Sequence, residues 1–139
     1  MWSFGLVAIS VCLLAIACVL PVLKFAEPNQ ETWFGWSVLF IGAFGIFIGQ
    51  FAWFANPILA LAWLACLLRW WIASAVIALF ALVIALSSLM IVGQRIPMDE
   101  GGVRHSTVGY LHVGFYVWLL AFLAMIAGPI VLKVIASKR

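Results

Sequence analysis

Apolar positions in this chain run in long unbroken stretches, and polar positions gather in a few short clusters between them. The first charge is Lys24, so residues 1–23 form one apolar run. As a helix rising about 1.5 Å per residue it reaches about 34 Å, enough to cross a hydrocarbon core. Ala15-Ile16-Ala17-Cys18 has the outline of a lipoprotein cleavage box. It lacks the large aliphatic residue at its first position, and no Lys or Arg precedes the run, so the segment is read as a retained span. A polar link from Lys24 to Glu31 follows, with a turn expected at Pro28-Asn29. From Thr32 to Leu68 there is no charge. That run is too long for one span and short for two. Asn56-Pro57 is its natural break, Asn serving as a helix cap and Pro as the first helical residue.

The pattern therefore predicts spans over residues 2–23, 33–54, 70–92 and 109–132, with a short apolar helix over 57–68. The short helix is expected to lie in the interface or to enter the membrane and return. Arg69-Trp70-Trp71 marks a membrane boundary, a charge beside two interfacial aromatics. Trp2, Trp33, Trp36, Trp53 and Tyr110 also fall at expected span ends, whereas Trp63 and Trp118 lie deeper and are read as packing residues. Gly128-Pro129 is expected to kink the last span. The expected fold is all-α: a polytopic transmembrane bundle of about four spans and one short helix, in a single domain over residues 1–139.

Composition strengthens this reading. Apolar residues make up 68% of the chain and charged residues 8%, so polar groups are too few to cover a water-soluble fold. Lipid is the expected partner of most of the surface. A net charge of +3, with no basic stripe and no Gly-rich phosphate loop, gives no reason to expect nucleic-acid binding. Cys12, Cys18 and Cys66 sit in apolar runs without metal-ligand spacing and are read as packing residues. Lys and Arg near span ends favour the cytoplasmic side. With four spans, Arg69, Lys133, Lys138 and Arg139 share the side of both termini, and Lys24, Arg95 and Arg104 the other. Both termini are therefore expected in the cytoplasm. Five crossings would put the basic tail on the disfavoured side.

Three clusters are candidates for function, each with a plainer alternative. Gly42, Gly45 and Gly49, with Gly35 before them, put small residues on the second span. Such a face lets helix backbones approach, either within this bundle or against a partner protein or second copy. On a continuous helix His105 and His112 would share a face with Gly109 between and Tyr116 beyond. They are candidates for metal binding or proton transfer, or else are helix-end residues bonded to a neighbour. Arg95, Asp99, Glu100 and Arg104 flank Gly101-Gly102 in a loop that is either a recognition surface or simply solvated. Asn56, Gln50, Ser87 and Ser88 are expected to bond between helices, and Asn56 joins the histidines and Tyr116 as a possible polar site. All four acids lie outside the expected spans, so neither catalysis nor a cofactor is expected.

Trp53-Phe54-Ala55-Asn56-Pro57, a Leu/Ala-rich helix ending at Arg69-Trp70-Trp71, and the run to Ser87-Ser88-Leu89 resemble small uncharacterised inner-membrane proteins of Gram-negative bacteria. Gly109-Tyr110 and Trp118-Leu119-Leu120-Ala121 resemble the opening of their last span. The resemblance covers about half of the chain, rests on low-complexity apolar sequence and transfers no active site. In size and layout the chain also resembles the immunity proteins that bacteria hold against membrane-inserting toxins. The expectation is a non-catalytic inner-membrane protein that works by helix–helix binding to a membrane partner, of immunity type. The alternative is a small transporter, channel or accessory subunit of a transport complex.

Overall fold

The computed structural model describes residues 2–26, 31–98 and 103–138. Helix α1 spans Trp2–Val19, strand β1 Pro21–Phe25 and strand β2 Thr32–Phe34. Helix α2, Gly35–Ile41, continues as a 3-10 segment over Gly42–Ile48. A 3-10 turn at Ala52–Phe54 leads into α3, Ala55–Leu67. Helix α4 covers Trp71–Leu86 and tightens to 3-10 over Ser87–Ile91. Strands β3, Arg95–Pro97, and β4, His105–Leu111, precede α5, Val113–Ser137.

Helix is the dominant element, but the all-α expectation is incomplete, because the four strands form one antiparallel sheet in the order β2-β1-β4-β3. Its central pair joins distant parts of the chain, with Leu23 opposite Leu111 and Lys24 opposite Tyr110. Two expected span limits move for this reason. The first helix stops at Val19 and not at residue 23, because Pro21 drives the preceding residue out of the helical region and opens β1. The last helix begins at Val113 and not at 109, because His105–Leu111 is paired on both edges as a strand. That strand holds Thr107, Val108 and Tyr110, residues that favour a pleated surface, and it buries Ser106 and Val108 in alternation.

Three helical stretches are long and apolar enough to cross a membrane: Trp2–Val19, Trp71–Ile91 and Val113–Ser137. Only 11%, 28% and 22% of their apolar windows is buried inside the protein, which leaves most of that surface to lipid. They run up, up and down. Ser10 meets Ala121 and Leu6 meets Gly128, so α1 and α5 are antiparallel. Ser74 donates to the Ala62 carbonyl at 2.8 Å, so α3 returns alongside α4. Both termini therefore lie at one end and the sheet at the other.

Small residues build the seam of the bundle. Ala62 of α3, Ala78, Ala81 and Ala85 of α4 and Ala121 of α5 are fully buried with Leu59, Phe122 and Met125. With no difference in polarity between lipid and side chain, helices associate through close packing and polar contacts, which Ala permits. A second, smaller core of Leu23, Phe25, Ile96 and Val108 lies under the sheet. The Pro129 expected to kink α5 is buried within that helix, whose hydrogen-bonded run continues past it to Ser137.

The expected span over 33–54 is not a single helix. Four glycines in 15 residues weaken it, each by about 1 kcal/mol relative to Ala. The α-helix ends at Ile41, and Gly49 takes a left-handed φ of 74° that turns the chain back. Residues 35–54 thus form a folded arm beside the sheet. The helix expected over 57–68 begins earlier, at Ala55, with Pro57 in its first turn, where a missing N–H costs least.

Candidate functional site

Between the arm, the sheet and the upper bundle lies a cavity of about 350 Å³. Val38, Leu39, Gly42 and Trp53 form its arm wall, Val22, Leu23, Trp33 and Ile96 its sheet wall, and Leu14, Phe115 and Trp118 its bundle wall. Gly35 allows the arm to start there: a Cβ would strike the Ala17 carbonyl, and the Gly35 N–H donates to the Leu20 carbonyl at 3.0 Å. Gly42 fits under the Trp53 ring, where a Cβ would sit 2.7 Å from its Cδ1. The Trp53 indole N–H donates to the Leu39 carbonyl at 2.7 Å and closes the arm on itself.

The polar side chains in this wall are engaged within the protein. Gln50 Nε2 donates to Gln94 Oε1 at 2.9 Å, tying the tip of the arm to the residue before β3. Trp118 Nε1 donates to Asn56 Oδ1 at 2.9 Å, joining α5 to α3. Ser88 donates to the Ala85 carbonyl of its own helix. A water molecule in a cavity needs two to four polar partners. This wall offers it almost none. The cavity suits an apolar occupant in both size and surface. At its outer edge Phe44 and Phe47 of the arm are 66% and 83% exposed, and Phe40 and Phe51 nearby on the arm are exposed as well.

The residues singled out in the sequence are mostly dispersed. Gly42 and Gly45 face the returning strand of their own arm, Gly45 against Gln50, and Gly49 makes the turn, so the expected glycine face is occupied within the chain. His105 and His112 do not share a helix face, because β4 separates them by about 23 Å of extended chain. His105 is paired with Pro97, and His112 accepts the Val113 N–H on Nδ1 at 2.9 Å at the start of α5. The Tyr110 ring stacks on His112, with centroids 6.0 Å apart, while Tyr116 is exposed on α5. The proposed polar site of Asn56, His105, His112 and Tyr116 is therefore not assembled. Asn56 does not cap α3 either; Phe54 occupies that position. Arg95 sits opposite Thr107 in β3, and the Arg104 carbonyl accepts the Met98 N–H at 2.7 Å. Asp99 and Glu100 lie outside the described residues. Ser87, like Ser88, bonds back to its own helix and not across to another. Among the described residues no three His, Cys, Asp or Glu side chains come together in a way that could hold a metal ion.

Sequence reasoning missed the cavity itself. Its walls come from four segments whose apolar residues carry no distinguishing pattern. The nearest signal was the density of glycine in the arm, which marks close approach and reversal as well as helix docking. Compared with protein-family models, with curated proteins and with solved structures, the chain matches none.

Proposed function

We propose that this chain is a non-catalytic membrane protein that binds the hydrocarbon tail of a membrane lipid in the cavity beneath its sheet. The observation that carries the reading is the wall: Gln50, Asn56 and Ser88 bond inside the protein, so nearly all of the surface that faces the occupant is apolar. The exposed phenylalanines at the cavity's edge offer apolar surface to a surrounding bilayer, which makes a lipid tail the nearest apolar occupant. Helix–helix recognition of a protein partner, including an immunity-type role, loses its main support because Gly42 and Gly45 pack inside the arm. A transport path through Asn56 and His112 lacks its pairing for the same kind of reason, since Asn56 is engaged by Trp118. Placement of the protein in a bacterial inner membrane, with both termini in the cytoplasm, rests on the basic residues at the terminal end and belongs to this proposal.

The test uses the purified chain in mild detergent with a phospholipid carrying a photoactivatable acyl chain. Illumination is expected to label Val38 and Phe115 inside the cavity. Val38→Trp, which intrudes into it, is expected to reduce those adducts while labelling at Val76 and Val83 on the outer face of α4 continues. Adducts confined to the outer face in the parent chain would sink the proposal.

A further inference from the structure

A second cleft lies at the opposite end of the bundle, where the first turn of α1, the corner between α3 and α4, and the last turns of α5 meet. Its volume is about 440 Å³. Leu67, Leu132 and Ile135 give it apolar walls, and Arg69 stands at its edge.

Arg69 is held there at some cost. Helix α3 ends in a Schellman motif: the Trp70 N–H reaches the Ala65 carbonyl at 2.9 Å and the Arg69 N–H the Cys66 carbonyl at 3.0 Å. That motif needs a left-handed residue, normally Gly, and here it is Arg69 at φ 64°. Among the described residues it is the only non-glycine at positive φ. The exposed side chain rests against an aromatic ring. Its guanidinium lies 5.5 Å from the centre of the Trp71 ring, and the Trp71 indole N–H reaches Ser3 Oγ at 3.4 Å, linking the corner to α1.

Among the described residues no carboxylate side chain balances this cation. In sequence the four acidic residues, Glu27, Glu31, Asp99 and Glu100, all fall in the segments that connect the strands; Glu31, the one among the described residues, pairs its backbone with Phe25 of β1. Lys133 and Lys138 add further positive charge on α5. A left-handed arginine, set beside an apolar cleft at a membrane boundary with no carboxylate partner among the described residues, fits a ligand that carries both a negative charge and a hydrocarbon tail.

We propose that this cleft binds an anionic phospholipid. Arg69 takes the phosphate oxygens, and one acyl chain lies along Leu67, Leu132 and Ile135. The guanidinium suits a phosphate because its planar fork can donate two hydrogen bonds at once. The site is independent of the cavity beneath the sheet and stands whether or not that cavity holds a lipid.

The experiment is native mass spectrometry of the full chain released from vesicles of phosphatidylcholine containing phosphatidylglycerol, with retained lipid identified by mass. The parent chain is expected to retain phosphatidylglycerol in preference to phosphatidylcholine by about fivefold, the factor expected for one basic residue at an anionic surface. Arg69→Gly is expected to abolish the preference with no loss of thermal stability, because Gly is the residue this turn normally carries. Arg69→Asn, also tolerated at this φ, provides a second neutral variant. Arg95→Gln, a charge removed at the sheet end, is expected to keep the preference. Equal retention of the two lipids by the parent chain, or a preference that persists in folded Arg69→Gly, would overturn the proposal. So would displacement of the retained lipid by millimolar inorganic phosphate, which would mark a free-anion site, not a lipid site.

Discussion

Ser10 is a small residue with a large expected effect. It is fully buried in the middle of α1, donates to the Ala121 carbonyl of α5 at 2.9 Å, and accepts the Trp63 indole N–H of α3 at 3.0 Å. One hydroxyl thus ties three helices. Ser10→Ala removes both bonds and leaves no sizeable void, since only an oxygen is lost. The Ala121 carbonyl lies inside α5 and keeps its helical partner, so its loss is cheap. The Trp63 N–H is left without its acceptor. Polar contacts between membrane helices average about 0.6 kcal/mol and reach about 1.7 kcal/mol. Two of them give about 1–2 kcal/mol of destabilisation, offset by up to about 0.5 kcal/mol because Ala is the better helix former. That propensity gain cancels in a double-mutant cycle with Trp63→Phe, which isolates the Ser10–Trp63 bond. The coupling expected is about 0.5–1.5 kcal/mol, read from reversible unfolding in mixed micelles of dodecyl maltoside and sodium dodecyl sulfate followed by circular dichroism. If the two substitutions add to within about 0.3 kcal/mol, the hydroxyl is not the tie described here.

Three further outcomes are expected. Gly49→Ala should destabilise the arm by about 1 kcal/mol, because Gly49 has a φ of 74° that a Cβ resists. Gly5→Ala in α1, where nothing lies within 4 Å of the new Cβ, should be neutral or stabilising in the same unfolding assay. In a background with Cys12, Cys18 and Cys66 replaced by Ala, single cysteines at Ser137 and Thr107 should react with a membrane-impermeant maleimide from opposite sides of sealed vesicles; labelling from one side only would contradict a bundle that crosses the bilayer.

Membrane character was legible in the sequence because it is a property of composition and run length. Runs without charge that are long enough to cross hydrocarbon become helices, since helix satisfies every backbone group locally. The limits set by local chemistry were also close: Arg69-Trp70-Trp71 does end one helix and start the next, and the basic residues do divide between the two ends. Tertiary structure decided the rest. Residues 105–111 can be apolar helix or strand, and the pairing with Pro21–Phe25, some 80 positions away, selects strand. The arm reverses at Gly49 through its left-handed φ, and α1, Trp53 and Gln50 leave glycine-sized gaps at Gly35, Gly42 and Gly45 that no single-chain pattern announces. The alanines of α4 became the packing seam, while the more conspicuous glycines of the arm turned inward on their own segment. Where nearly every residue is apolar, hydrophobic periodicity cannot separate the face that meets lipid from the face that meets protein. Only the fit of one backbone against another draws that distinction.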